Sequence, residues 1–218
     1  MQIEVWSDVV CPWCFIGKRR LERALVDTGL TDVEVVHRAF QLDPHATTEG
    51  RRTVEVIASK YGTDVAGAEQ MMGQVTAVAR GEGLSYQLLD TTSGNTELAH
   101  EVLLWAQDQD HDNNHHRGQE LLERLYSAYF ERAEPIFTLD EILPHVEAVG
   151  LDVDEARAAI DSGVYRARVA EDGDLARQFG ANGVPFFVFD RRYGISGAQP
   201  LEAFVQTLLE ASSTGTDG

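Results

Sequence analysis

Cys11 and Cys14 are the only cysteines of the 218-residue chain, and they stand three positions apart in the run Cys11-Pro12-Trp13-Cys14. Two residues at this spacing lie on one face of a helix, so a disulfide can close between them with only local movement. A lone C-x-x-C is a moderate signal, but a C-P-x-C that follows a strand and opens a helix is a strong one. The pair therefore predicts thiol chemistry.

The position of Cys11 matters more than its spacing from Cys14. The first N–H groups of a helix lack partners and the helix dipole is positive there, and both effects favour a thiolate over a thiol. Cys14 lies one turn further in, where we expect less exposure. The sequence thus predicts that Cys11 attacks a disulfide and that Cys14 resolves the mixed disulfide that forms.

Two other interpretations of the pair remain open. The cysteines could supply half of a zinc site, which would need distant histidines because no second cysteine pair exists, or they could be ordinary buried residues. His111, His115 and His116 form a small cluster, but the surrounding sequence is polar and indicates a loop. We expect no metal site.

The elements that must position the cysteines are readable at both ends of the chain. Gln2 to Ser7 alternates like a strand, Pro12 to Gly29 has the start and stop signals of a helix, and Val33 to Phe40 resembles a second strand. From about Arg51 to Asp172 we find helix after helix and no convincing strand. Within that block, Thr138 and Glu141 form a capping box, and Pro144 predicts a kinked or short helix.

The C-terminal part returns to strands. Val184 to Phe189 is a continuous apolar run typical of a strand buried on both faces, Ile195 to Gly197 is a short return strand, and Pro200 opens a last helix through Leu209. The chain is thus predicted to be an α/β protein in which both ends build one sheet domain around a helical insertion. We expect the sheet domain to comprise 1–45 plus 173–212, the helical domain 46–172, and a flexible tail 213–218.

Pro185 stands at the start of the buried strand, where a residue that cannot donate a ladder hydrogen bond is tolerated. We predict a cis Val184–Pro185 bond, which would turn the backbone of Val184 toward the cysteines and leave it free to pair with an extended peptide or thiol. The alternative is an ordinary trans proline, which base rates alone would favour.

The net charge is −18, which would repel nucleic acid and an anionic membrane surface. No segment approaches the ~20 apolar residues of a membrane span, and the N-terminus has no signal-peptide pattern. We therefore expect a cytoplasmic protein that binds neither nucleic acid nor membrane. In a reducing compartment a purely structural disulfide is disfavoured, which again points to a catalytic pair.

Together these residues resemble the thioredoxin superfamily, and more narrowly the DsbA-like family and its FrnE branch. The resemblance covers nearly the whole chain and rests on six runs: Ser7 to Cys14, Ile16 to Leu21, Phe40 to Pro44, Asn95-Thr96 with Ala99-His100, Gly183 to Phe187, and Ser196 to Pro200. It implies a thioredoxin-like fold (β-α-β … α-β-β-α) with a large all-helical insertion, a redox-active Cys11–Cys14 pair and a cis Pro185.

The resemblance also names partners and alternatives. We expect protein or peptide disulfides and thiols as substrates and no bound cofactor, with glutathione or another small thiol as a conceivable co-substrate. Kappa-class glutathione transferases and 2-hydroxychromene-2-carboxylate isomerases are similar in fold, but that branch typically has serine where Cys11 stands. A small-thiol-dependent transferase or isomerase, and a redox-independent holdase, are the competing hypotheses.

Several residues near the cysteines are candidates for substrate contact. Asn95 is also a candidate helix cap, and His100 a candidate proton shuttle to Cys14. The helix that carries the cysteines also bears three cations that could attract an anionic thiol or simply form a solvated face: Lys18, Arg19 and Arg20. The residues expected to bind substrate are Pro12, Trp13, Val184, Pro185, Asn95 and His100.

Overall fold

The computed structural model describes residues 1–112 and 116–213, without the side chains of 111 and 112. Its strands are β1 (Gln2–Ser7), β2 (Glu34–Ala39), β3 (Arg51–Arg52), β4 (Thr92–Ser93), β5 (Phe186–Phe189) and β6 (Tyr193–Ser196). Its α-helices are α1 (Pro12–Thr28), α2 (Thr53–Tyr61), α3 (Val65–Gly81), α4 (Glu97–Asp108), α5 (Arg117–Tyr126), α6 (Leu139–Ala148), α7 (Val153–Asp161), α8 (Val164–Gln178) and α9 (Leu201–Ser213). Short turns of 3₁₀-helix cover Leu88–Asp90 and Gln109–Asp112, and a π-helical turn covers Ser127–Glu131.

The main sheet has the strand order β2-β1-β5-β6. β1 pairs parallel with β2, while β5 pairs antiparallel with both β1 and β6. The β-α-β unit of the N-terminal end and the β-β-α unit of the C-terminal end thus form one sheet, as the sequence predicts.

The central strand β5 is buried on both faces. Phe187 and Phe189 pack into a core formed with α1 and α9, whereas Phe186 and Val188 pack on the opposite face with Trp6. All four residues of β5 are buried. The continuous apolar run therefore fills two cores at once, which confirms the prediction of a doubly covered strand.

Helix α1 is fixed at its end and along its length by glycine. Gly29 adopts a left-handed conformation with φ 67°, and its N–H donates to the carbonyls of Leu25 and Val26. A Cβ on Gly17 would lie 3.0 Å from the ring of Phe187 and 3.1 Å from the ring of Pro185. Glycine at this position allows α1 to approach the β5 end of the sheet closely.

The helical block packs into one large core that continues up to the cysteines. Thr138 and Glu141 make both hydrogen bonds of the capping box, as predicted, and α6 remains one helix over ten residues although Pro144 lies inside it. The expectation that this block lacks strands is wrong in one detail. Arg51–Arg52 and Thr92–Ser93 pair as a two-residue antiparallel ladder at its edge.

The predicted domain boundaries can be compared with the ends of the helices. Helix α8 runs without a break through residue 172, so the proposed border between 46–172 and 173–212 falls inside a helix. The division into two domains stays a prediction. The last helix extends beyond Leu209 to Ser213, the first residue of the expected tail, and residues 214–218 lie outside the described part of the chain. No helix among the described residues is long and apolar enough to cross a membrane.

Candidate active site

Cys11 is the N-cap residue of α1, directly before Pro12 at the first helical position. Its N–H donates to the carbonyl of Asp8 at 3.0 Å, which closes the turn between β1 and α1. The first turn of α1 contains no acidic residue that would oppose a thiolate. Cys11 is only 4% exposed, so its sulfur lies in a shallow recess that a substrate must reach closely.

Cys14 lies behind Cys11, and its side chain is 2% exposed. Burial raises the pKa of the Cys14 thiol well above its ordinary value, and its hydrogen bond with Cys11 and the charge of that neighbour raise it further. Both cysteines are free thiols in this structure. The asymmetry fits an attacking Cys11 and a resolving Cys14 that stays protonated until it is used.

The Val184–Pro185 peptide bond is cis, and it faces the cysteines. The thiol of Cys11 donates to the carbonyl oxygen of Val184 at 3.6 Å from the sulfur. Sheet pairing of β5 begins at Phe186, so Val184 lies outside the ladder. The carbonyl of Pro185 accepts from the N–H of Gly197 at 2.8 Å, which ties this turn to the loop after β6.

Arg20 fixes the same loop from the side of α1. Its guanidinium donates to the carbonyls of Ala198 at 2.6 Å and Gln199 at 3.2 Å. Its Nε donates to a carboxylate oxygen of Glu82 at 2.7 Å, just after α3. Arg20 therefore joins the cysteine helix, the helical block and the loop that supports Pro185.

Lys18 and Arg19, which precede Arg20 on α1, are also engaged in ion pairs. Lys18 and Arg19 both pair with Glu22 on their own helix and with Glu123 of α5. Arg19 in addition lies over the ring of Phe15, with 4.7 Å between guanidinium carbon and ring centroid. The two cations therefore neither form a solvated face nor remain free to attract an anionic thiol. They attach α1 to the helical block.

Tyr86 is a site residue that sequence analysis missed. Its hydroxyl donates to the carbonyl of Pro12 at 2.7 Å, inside the C-P-W-C segment. Burial raises the pKa of Tyr86, and the two cysteines raise it further, so the phenol stays a donor. The ring stacks on Phe130, with centroids 4.8 Å apart, which holds it in place.

His100 is fully buried beneath the active site and does not reach the surface. Its Nε2 lies 3.4 Å from Oδ1 of buried Asp8, close enough for attraction if the ring is protonated, yet neither ring nitrogen has an aligned hydrogen-bond partner among the described residues. Asp8 also accepts from the N–H of Leu42 at 2.7 Å. Burial argues against the expected direct contact of His100 with substrate and leaves a role behind the cysteines.

The polar side-chain atoms of Asn95 form hydrogen bonds within the protein. Its Oδ1 accepts from the N–H of Glu97 at 2.8 Å, and its Nδ2 donates to the carbonyls of Pro44 and Ala46. Gln41 also donates to Oδ1 at 3.2 Å. The N-cap residue of α4 is Thr96, so Asn95 binds the first N–H of the helix from one position before the cap and ties the helix start to the loop after β2.

Trp13 and Pro12 form the outer rim of the site. Trp13 is 38% exposed, the accessible aromatic between two buried cysteines, while Pro12 and Val184 are half-buried and Pro185 is buried. The arrangement offers an apolar rim around one recessed sulfur. A substrate sulfur could approach Cys11 while its flanking chain lies across Trp13 and Val184.

The alternative of a metal site finds no support in the described residues, which contain no group of three or more histidine, cysteine or acidic side chains arranged to hold an ion. The cluster of His111, His115 and His116 is only partly covered. A 3₁₀ turn spans Gln109–Asp112, and His115 lies outside the described residues.

Several solved structures share the fold of this chain. The chain is similar to a probable DsbA oxidoreductase, SCO1869 from Streptomyces coelicolor, with 36% identity, a TM-score of 0.88, and coverage of 98% of this chain and 90% of that one. It shares the fold of the cytosolic disulfide reductase DsbM from Pseudomonas aeruginosa with GSH (20% identity, TM-score 0.67, 96% and 100% coverage). It also shares the fold of a 2-hydroxychromene-2-carboxylate isomerase (14% identity, TM-score 0.70, 100% and 98% coverage).

The family model named DSBA-like thioredoxin domain matches residues 2–209, almost the whole chain, including both cysteines, Pro185 and the helical block between them. The fold is accordingly a thioredoxin fold with a helical insertion, as the resemblance implied. The chain belongs to the DSBA-like thioredoxin domain family.

Proposed function

We propose that the protein is a thiol–disulfide oxidoreductase that exchanges disulfides with protein or peptide partners through Cys11 and Cys14. The observation that carries this proposal is the placement of Cys11 at the mouth of α1, with its sulfur 3.6 Å from the carbonyl oxygen of Val184 and with Cys14 buried behind it. An extended substrate beside Val184 would present its own sulfur to Cys11.

The exchange proceeds in two steps that conserve atoms and electrons. The Cys11 thiolate attacks one sulfur of a substrate disulfide, a mixed disulfide forms, and the other substrate sulfur leaves as a thiolate. Cys14 then attacks the Cys11 sulfur, the bond to the substrate breaks, and the second substrate thiolate leaves. The protein pair is oxidised by two electrons and the substrate is reduced; the reverse sequence oxidises a dithiol.

Trapping with single-cysteine variants tests the proposal. Cys14→Ala removes the resolving thiol, so an oxidised test protein should remain attached to Cys11 as a stable mixed disulfide that mass spectrometry locates. Cys11→Ala is the matched control, because it keeps one cysteine in the same motif but leaves only the buried thiol. Turnover of Cys11→Ala at the wild-type rate would contradict the proposal.

A second candidate is a transferase or isomerase that uses glutathione or another small thiol. What favours it is fold similarity to the isomerase and to DsbM, which is a disulfide reductase with GSH. The retained Cys11 and the ion-paired cations Lys18 and Arg19 weigh against it. If Cys14→Ala captures only glutathione from a mixture of glutathione disulfide and an oxidised protein, the second candidate gains.

We further propose that the protein acts in the cytoplasm as a reductase or isomerase. The support is the cytosolic disulfide reductase DsbM, which shares the fold. The reduction potential of the Cys11–Cys14 pair tests the direction: a value near −270 mV, typical of thioredoxin, fits a reductase, and a value near −120 mV, typical of DsbA, contradicts it.

A further inference from the structure

A small cavity lies on the inner side of Cys14, between the sheet and helices α1 and α5. Its volume is about 30 Å³, and five apolar side chains line it together with Cys14, Ser7, His37, Tyr126, Lys18 and Gln119. A water molecule needs roughly 10–15 Å³ on the same measure and two or more polar partners. The cavity meets both conditions next to the resolving thiol.

His37 is the unusual member of that wall. It lies on β2, is 4% exposed, and its Nδ1 is 3.3 Å from the hydroxyl oxygen of Ser7 on β1. Its Nε2 is buried and has no hydrogen-bond partner among the described residues. A buried imidazole nitrogen without a partner is costly, so a water in the adjoining cavity would satisfy it.

The protonation state of His37 suits a group that holds a water molecule by hydrogen bonds. Burial, together with the charges of the nearby His100 and Arg38, lowers its pKa to about 3, so the ring is neutral at physiological pH. A neutral imidazole carries one donor and one acceptor. It can therefore accept a hydrogen bond at one nitrogen and donate at the other without holding a charge.

The groups that face His37 come from every neighbouring element. The ring of His100 on α4 stacks on it with 5.8 Å between centroids, and Gln107 of α4 accepts its backbone N–H at 2.8 Å. Helix α1 contributes Lys18, helix α5 contributes Tyr126, and β2 contributes Arg38. Asp8 lies 3.4 Å from the His100 ring and raises the pKa of Cys14 through its charge, but it is absent from the residues that line the cavity.

We propose that His37, together with Ser7, positions a water molecule in this cavity and that the water accepts the proton of Cys14 in the resolving step. The inference rests on the proposed function, since it concerns the second half of the disulfide exchange. His37 is thus a positioning residue: it acts through the water and does not touch the reacting sulfurs.

The step balances as follows. The proton of the Cys14 thiol moves to the water as the Cys14 sulfur attacks the Cys11 sulfur. The Cys11–Cys14 bond forms, the bond between Cys11 and the substrate sulfur breaks, and the electron pair leaves with the substrate thiolate. The water passes the proton to solvent past the half-buried Lys18 and Gln119 at the cavity wall, and the released thiolate takes up a proton from solvent.

Stopped-flow reaction of the reduced protein with dithiodipyridine separates the two steps. Attack by Cys11 releases a first thiopyridone at a rate proportional to reagent concentration, and resolution by Cys14 releases a second at a rate independent of it. We expect His37→Leu to slow the second phase about tenfold at pH 7, about 1.4 kcal/mol in barrier, and to shift its pH profile toward alkaline pH. His37→Gln, which retains a donor and an acceptor, should keep most of the rate.

The first phase is the internal control. The rate of the first phase should be the same in His37→Leu as in the wild type. A wild-type protein without any first phase would show that Cys11 is not the nucleophile, and the proposed function would then fail. A folded His37→Leu protein whose second phase has the wild-type rate overturns the proposal. The proposal also fails if Asp8→Asn slows the second phase and His37→Leu does not. If His37→Leu does not fold, Ser7→Ala decides, and an unchanged pH profile of its second phase is then the contrary result.

Discussion

Arg20 offers the sharpest test of how the site is supported. Its side chain is 15% exposed and that of Glu82 is 11% exposed, so this ion pair is largely shielded from water. Arg20 also donates to the carbonyls of Ala198 and Gln199 at 2.6 and 3.2 Å. Replacing Arg20 by methionine keeps an unbranched apolar side chain but removes every one of these donors.

The magnitude follows from what is left unpaired. A hydrogen bond to a charged group contributes about 1.5–3 kcal/mol, and breaking a fully buried ion pair costs about 3–5 kcal/mol. Glu82 retains Arg23, 3.0 Å away, and is slightly exposed, so the loss should lie toward the lower end. We expect Arg20→Met to lower the free energy of unfolding by about 2–3 kcal/mol.

Arg23→Met is the matched control, because it removes the other cation that binds Glu82 from the same helix. Arg23 is 56% exposed, and an exposed ion pair contributes about 0–1 kcal/mol. Urea unfolding followed by circular dichroism should therefore separate the two variants clearly. Equal losses in Arg20→Met and Arg23→Met would refute the reasoning, since they would mean that shielding and the two loop carbonyls add nothing.

A double-mutant cycle with Glu82→Gln divides the effect of Arg20 into its two parts. The coupling energy reports the ion pair, and the remainder of the Arg20→Met loss reports the hydrogen bonds to the loop. We expect a substantial remainder. A remainder near zero would show that the loop beside Pro185 is stable without Arg20.

Four further outcomes are expected. Tyr86→Phe removes the 2.7 Å hydrogen bond to the carbonyl of Pro12 and should lower the free energy of unfolding by about 1 kcal/mol in urea titrations. Gly17→Ala places a Cβ 3.1 Å from the Pro185 ring. The overpacking should cost about 1–3 kcal/mol and outweigh the roughly 1 kcal/mol gained in helix propensity, so calorimetry should show a lower Tm. Because the net charge is −18 and the cations Lys18 and Arg19 are paired, Cys11 should attack cationic cystamine faster than anionic glutathione disulfide. Added salt screens the charges and should bring the two rates closer together. Because the folded-state pKa of His37 is lowered to about 3 from an ordinary value of 6.5, the unfolded chain binds the extra proton below pH 6.5. The contribution of His37 is present above that pH, and about 2 kcal/mol of it should be lost between pH 7 and pH 5 in the wild type but not in His37→Gln.

Local sequence patterns predicted the parts of the site that are local in the chain. The strand before Cys11, the helix that Pro12 opens and the buried run after Pro185 each depend on residues within one element. Their periodicity and end signals are set by sterics and burial along a few consecutive residues. The predicted roles of the two cysteines rest on the same local geometry.

Residues that reach the site across the fold were missed or given another role. Tyr86 is 74 positions from Pro12, and its hydrogen bond leaves no trace in the sequence around either residue. The sequence does not single out His37, because a single histidine in a strand gives no indication of which cavity it will line. Asn95 and His100 were placed near the site by resemblance, but whether they face substrate or the interior depends on packing.

The cations of α1 show how packing changes the meaning of a charge pattern. In sequence, Lys18, Arg19 and Arg20 form one positive patch beside the cysteines. Their partners Glu123 and Glu82 lie 105 and 62 positions from Lys18 and Arg20, in the helical block, so only the folded chain brings the charges together. Once paired, Lys18 and Arg19 are no longer free to bind an anionic thiol. The same three residues that suggest an anionic thiol in the sequence therefore hold α1 against the helical block in the fold.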